Sequence, residues 1–317
     1  MIPARKLTFQ EAWQSTVSFF IDDDLENEID NEVNHLLQVA ALEPPWHGRT
    51  TETAHVATYL ASHRDAVEVI LRDVELSEEK LQRIISLLRR IGRIPGGFDQ
   101  EWNIERIKTK IVREPDFATL IADLLMDGVQ DTELARYIPR YYLETLNYRH
   151  ILGSPVEARR LRYKRALIGT YGGKKGYRVE GRIEAHLQRL GAIHGVAFEQ
   201  GRSHLVDTNL DFAIPGVADP WIIIMSSFQE TTSSGQSAKT RDMFSGFQNL
   251  QRRNSIHGED RVFVNFVDGG GWLARKRDFQ RLIENCHYFL NLAHLDMLES
   301  IVLQHLPGQY GARPQQA

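Results

Sequence analysis

Leu210–Asp211–Phe212–Ala213–Ile214 and Trp221–Ile222–Ile223–Ile224–Met225–Ser226–Ser227–Phe228–Gln229–Glu230 are the two runs on which the reading of this chain turns. The first is apolar except for one aspartate. The second is an apolar strand pattern that leads into a polar cluster, Thr231–Thr232–Ser233–Ser234–Gly235–Gln236–Ser237–Ala238–Lys239. Pro215–Gly216 and Asp219–Pro220 mark the turn between them. A charged carboxylate buried in an apolar strand is costly unless it is paired. Asp211 therefore needs a metal ion, a catalytic task or a hydrogen-bonding role to hold it there.

Working outward, the polar cluster passes into a helix expected over 236–252, followed by a strand from Arg261 to Val267. That strand ends in Asp268–Gly269–Gly270–Gly271–Trp272, read as a turn, and helices are expected at 276–291 and 293–305. Upstream, Val179, Ile183, Leu187 and Leu190 form one helical stripe over 177–190, with Glu180 and Glu184 beside it. Gly191 ends that helix and a short strand is expected at 194–199. The order is α-β-β-β-α-β-α. Before it, a helix over 155–168 carries Arg159, Arg160, Arg162, Lys164 and Arg165. It runs into Gly169–Thr170–Tyr171–Gly172–Gly173–Lys174–Lys175–Gly176–Tyr177, read as a basic glycine-rich loop able to approach phosphate. This is no Walker A loop, because no Ser or Thr follows the lysines and no strand precedes them.

Residues 1–152 read as a helical domain and 153–317 as a second one, with the boundary at Gly153–Ser154–Pro155. Phe9, Trp13, Val17 and Phe20 share a helical face, and Asp22–Asp23–Asp24 suits a helix N-terminus. Further helices are expected at 51–73, 76–93, 101–127 and 130–147, with Ser77 as the cap of the second. This half carries no legible chemistry; DNA embrace, dimerisation and bracing of the second domain all fit it.

Composition limits the alternatives. One cysteine, Cys286, in 317 residues excludes an intramolecular disulfide and a cysteine-based zinc site, and it reads as core. No apolar run reaches the roughly 18 residues of a membrane span. The N-terminus does not read as a signal peptide, so the cytoplasm is the expected compartment. Residues 1–150 hold 17 Lys and Arg against 26 Asp and Glu, whereas 151–317 hold 21 against 16. An acidic half beside a basic one suggests a module that meets an anion.

The strand bearing Asp211, the Ser/Thr/Gly-rich exit at 231–239, the helix opened by Gly-Lys-Lys-Gly-Tyr-Arg-Val-Glu at 173–180, and Val264–Trp272 together resemble the PD-(D/E)XK nucleases, more narrowly the type II restriction endonucleases. The resemblance covers about 155–305. It implies an α+β or α/β core, a central mixed sheet flanked by helices, following the helical domain. It also implies Mg²⁺-dependent hydrolysis of a specific double-stranded DNA sequence by a homodimer, and a cognate DNA methyltransferase in the same system. In its terms Asp211 and Glu230 are metal ligands, with Glu180 or Glu184 as helix acids able to complete the set. Lys239 and Gln229 are the groups that orient water. Lys174, Lys175, Arg178, Ser234, Gln236, Arg241, Gln251, Arg252, Arg253 and Asn254 are DNA contacts, since Arg, Asn and Gln read base edges. The chain departs from the family pattern where an acid, one residue and a lysine are expected: Met225–Ser226–Ser227 stands there, and Thr232 occupies the lysine position after Glu230. A nuclease-like DNA-binding protein without cleavage and a protein scaffold with a basic surface remain as alternatives.

Overall fold

The computed structural model describes residues 2–47, 50–95, 100, 102–232 and 235–310, all but the side chain of Thr170 among them. It is a mixed α+β protein that divides into two compact units, one of Asp22–Thr170 and one of Met1–Ile21 with Tyr171–Ala317. The units separate at 21/22 and 170/171, where the sequence places the boundary at 152/153. Among the described residues no helix is long and apolar enough to cross a membrane.

The second unit in this list is built on α1 (Phe9–Ser15), the latter part of a long helix, α9 (Val156–His194), and α10 (Gly235–His257), α11 (Lys276–Glu284) and α12 (Met297–His305). Its sheet runs β1 (Glu199–Ser203), β2 (Thr208–Ile214), β3 (Ile222–Phe228), β4 (Val262–Asp268), β5 (Tyr288–Leu290), in that spatial order. β1–β2 and β2–β3 are antiparallel; β3–β4 and β4–β5 are parallel. β4 is buried along its whole length and β3 along all but its last residue, which explains their unbroken apolar runs. Gly246 lets α10 come down on the sheet: a Cβ there would lie 3.1 Å from the Phe263 ring.

β5 replaces the end of the helix expected over 276–291. Asn285 stops α11, its side chain returning to the Arg281 carbonyl at 2.8 Å. The run Tyr288–Phe289–Leu290 is too short for periodicity to separate strand from helix. The early strand is also displaced, from the expected 194–199 to 199–203. Val17 and Phe20 lie beyond α1, although Phe9 and Trp13 do stack on each other, with ring centroids 5.3 Å apart.

The helical unit contains α2 (Asp23–Ala40), α3 (Thr53–Ser62), α4 (Ala66–Asp73), α5 (Glu78–Arg90), α6 (Ile104–Arg113), α7 (Pro115–Asp127), the one-turn α8 (Arg140–Leu143) and the start of α9. Asp22 caps α2 by accepting from the Leu25 N–H at 3.0 Å, so the triple aspartate begins with a helix cap. Ser77 caps α5 as expected. The stretch 130–147 holds only α8 and short 3₁₀ turns, not the helix its pattern suggests.

The largest correction concerns 169–177. The segment is no loop; it is the middle of α9. The reason lies in a stripe that continues through the glycines: Tyr163, Leu167, Tyr171, Val179, Ile183, Leu187 and Leu190 are all buried, with Lys175 at the one step between Tyr171 and Val179. Each exposed glycine in a helix costs about 1 kcal/mol relative to alanine, and a Cβ at Gly172 or Gly173 would meet nothing within 4 Å. Gly172→Ala with Gly173→Ala should therefore stabilise the protein by roughly 1–2 kcal/mol. Denaturant unfolding checks this, and a loss of stability would mean that the segment is not helical.

Four of the five basic residues within 155–168 are spent internally, Arg165 remaining exposed. Arg159, nearly buried, donates to both oxygens of Glu43 at 2.9 and 2.8 Å and stands 2.8 Å from Asp73. Arg162 donates to the Asp73 carbonyl, Lys164 pairs with Asp30 and Arg160 reaches Asn34. Burial is the main influence that raises the Asp73 pKa, opposed by Arg159.

Candidate metal centre

β2 and β3 are paired only as far as Phe212↔Ile224. Beyond that rung the strands part, and Asp211 fills the opening. Its Oδ2 accepts from the Ser226 backbone N–H at 2.7 Å and from Lys239 Nζ at 2.9 Å. The side chains of Asp211 and Lys239 are 24% and 29% exposed, so this pair is solvent-reachable and is not a core ion pair. Lys239 comes from the first turns of α10, which the polar cluster after β3 leads into.

Glu180, on α9, stands within electrostatic range of both. Burial raises its pKa first, the negative charge of Asp211 raises it further, and Lys239 opposes the two. It has no hydrogen bond or ion pair of its own among the described residues. Two carboxylates and one ammonium, from a strand and two helices, thus lie within electrostatic range of one another. Ser226 and Ser227, both buried at the end of β3, have hydroxyls without a hydrogen-bond partner among the described residues.

These donors fit Mg²⁺. The ion takes oxygen ligands and keeps several waters, so two carboxylates suffice. Among the described residues no cluster of three or more His, Cys, Asp or Glu side chains is placed to hold a metal ion, and Asp211 and Glu180 are the oxygen donors of this site.

The other expected ligands have partners of their own. Glu230 is paired with Lys175 on α9. Glu184 meets Gln188 at 3.3 Å. Met225, where the family pattern wants an acid, is buried, its sulfur 3.5 Å from the position a Cβ on Gly246 would take; it is core and not a ligand. Gln229 is held through its backbone, its N–H donating to the Asp268 carbonyl at 3.0 Å and its carbonyl accepting from the Gly271 N–H at 2.8 Å.

The expected DNA contacts divide. Lys174 is exposed and sits 4.1 Å over the Tyr171 ring; Arg178, Arg241, Gln251 and Arg252 are exposed. Three are diverted. Gln236 is fully buried, so it does not face a ligand in solvent. Arg253 pairs with Glu259 at 3.0 Å, and Asn254 bonds the Arg261 backbone in both directions, at 2.9 and 3.3 Å. This clamps the turn from α10 into β4. Ser234 lies outside the described residues.

Sequence reading underrated Asp268. It is completely buried and accepts from three backbone N–H groups: Val17 at 2.7 Å, Gly269 at 2.7 Å and Leu292 at 2.9 Å. The glycines after it serve the same junction. A Cβ on Gly269 would lie 2.3 Å from the Gln229 carbonyl oxygen, one on Gly270 2.3 Å from that of Ser18, and one on Gly271 2.5 Å from that of Thr231. An aspartate followed by three glycines was the available signal.

Compared with known proteins, the chain matches no family model, no curated protein and no solved structure.

Proposed function

We propose that the chain is a Mg²⁺-dependent, site-specific endonuclease of the PD-(D/E)XK type that cuts double-stranded DNA, working in the cytoplasm as a homodimer beside a cognate methyltransferase. The observation that carries this reading is the convergence of Asp211, Glu180 and Lys239 where β2 and β3 part. The helix–three strands–helix–strand order, with its antiparallel β2–β3 and parallel β3–β4, supports it.

Hydrolysis requires a water oxygen to bond to phosphorus while an ester P–O bond breaks, with the water's proton passing through solvent to the leaving oxygen. A Mg²⁺ ion supplies water activation near neutral pH and charge stabilisation on the leaving oxygen. Asp211 and Glu180 would hold it. Asp211 is fixed for that task, since the Ser226 N–H locks one of its oxygens. Lys239, which donates to Asp211 at 2.9 Å, would donate to the attacking water or to a phosphate oxygen. Glu180 must be ionised to bind the cation. Its raised pKa therefore makes affinity rise as pH climbs through that pKa and fall below it.

Incubating the protein with plasmid or phage DNA and Mg²⁺, then mapping fragment ends, tests the reading. Discrete fragments with common ends are expected, and none in chelator. A second reading, DNA binding without cleavage, is favoured by Met225–Ser226–Ser227 at the usual acid position and by the diversion of Glu230 to Lys175. It predicts a salt-sensitive DNA complex and intact DNA.

A further inference from the structure

The helical unit carries a groove of about 980 Å³ along α5, facing the segment that leads into α6 and the turn before α8. Its cationic lining, Lys80, Arg83, Arg89 and Arg90, is opposed among its lining residues by one acid, Glu79. That is unusual in a half of the chain where acids outnumber bases. Arg83 pairs with Glu79 along the exposed face of α5; elsewhere in this unit Lys108 stands 2.9 Å from both Glu68 and Glu78, and Arg149 holds Asp127 in a two-pronged pair. Other cations at the groove lie on aromatic rings. Arg89 and Arg106 lie 4.3 and 5.3 Å from the centre of the Trp102 ring, and Lys80 4.6 Å from that of Tyr142. Arg90 is exposed and has no ion pair among the described residues. Tyr137, half exposed, adds an open ring face at the groove wall.

We infer that this groove binds a nucleic-acid strand, with Arg83 and Arg90 on its phosphates and Tyr137 stacked on an unpaired base. Positive charge that follows a phosphodiester backbone and aromatic faces that accept any base are the elements of single-strand recognition. The volume matches clefts that take one small ligand, so it suits a nucleotide or two and not the width of a duplex. The strand is either single-stranded or presents a base turned out of a duplex. An acidic peptide would use the cations and leave the open aromatic face without a stacking partner. The inference rests on the nucleic-acid substrate of the reading above, but it uses none of the residues of the metal centre.

Fluorescence anisotropy of the full chain, without metal, tests it. The probes are a labelled 12-nucleotide single strand, the same strand with one abasic site, a matched duplex, and that duplex with one mismatch. Wild type should bind the single strand. Arg83→Glu with Arg90→Glu should weaken it at least tenfold and reduce the salt dependence by about one to two phosphate contacts. Tyr137→Ala should weaken the intact strand about fivefold or more while leaving the abasic strand unchanged. Preference for the mismatch over the matched duplex would identify the turned-out base as the source; equal affinity for the two would identify the free strand. Both groove variants retain the metal centre, so their cleavage of saturating plasmid separates the two ideas. Unchanged strand affinity in the variants overturns the groove and leaves the nuclease reading standing. No wild-type binding to any probe, or displacement of the strand by a polyglutamate peptide at equal strength, overturns it as well.

Discussion

Asp211→Ala abolishes DNA cleavage and leaves DNA binding nearly intact. The variant removes the carboxylate at the point where β2 and β3 part, and with it one of the two oxygen donors gathered there. A metal-assisted transition state owes several kcal/mol to the ion, and each 1.36 kcal/mol is a factor of ten in rate. The expected loss is therefore roughly 10³-fold or more. Folding should survive, because the side chain is partly exposed and the one backbone group it satisfies, the Ser226 N–H, lies at the end of the β2–β3 ladder. Single-turnover cleavage and a filter-binding curve on the same DNA separate the two effects. Full cleavage by Asp211→Ala would remove the assigned centre. Glu230→Ala, by contrast, should lose little activity, since Glu230 is engaged with Lys175.

Asp268→Ala costs the protein about 4 kcal/mol of stability, because three buried backbone N–H groups lose their acceptor and each orphaned donor costs roughly 1–3 kcal/mol. Those donors come from three distant segments: the end of the N-terminal region, the glycine turn after β4, and the start of the 3₁₀ turn after β5. Their release should loosen the approach of Ser18, Gln229 and Thr231 to Gly269–Gly271. Asp268→Asn should recover only part of the loss, because an amide presents a donor where one of the N–H groups already points. Denaturant unfolding measures both; the lowering of Tm for the alanine variant should be roughly 10 °C. A change under about 1 kcal/mol would mean that the junction is not built on this carboxylate.

The local pattern made some of this legible. The strand around Asp211, the apolar β3 and β4, the stripe from Val179 to Leu190 and the cap at Ser77 were all readable, because each is written in neighbouring residues. The centre was half readable. Asp211 stood out as an acid among apolar residues, but its choice of Lys239, and the choice of Lys175 by Glu230, join residues far apart in the chain, and no local spacing encodes them. The glycine-rich segment misled because propensity spoke for a loop while the buried stripe from Tyr163 to Val179 spoke for a helix, and tertiary burial outweighs propensity. The basic helix misled for a similar reason: a cation's partner is a long-range fact, and Arg159 found Glu43 and Asp73. The glycines after Asp268 looked like a flexible turn, yet three backbones pass too close there for any side chain.

The central claim is that Asp211 and Glu180 together bind a divalent cation. Isothermal titration of Mn²⁺, as a reporter for Mg²⁺, into the DNA-free protein tests it directly, repeated in buffers of different ionisation enthalpy and at several pH values. The account predicts one site in the wild type whose affinity rises with pH as Glu180 gives up its proton, and its loss in both Asp211→Ala and Glu180→Gln. No binding by the wild type, or the same site undiminished in both variants, would contradict it.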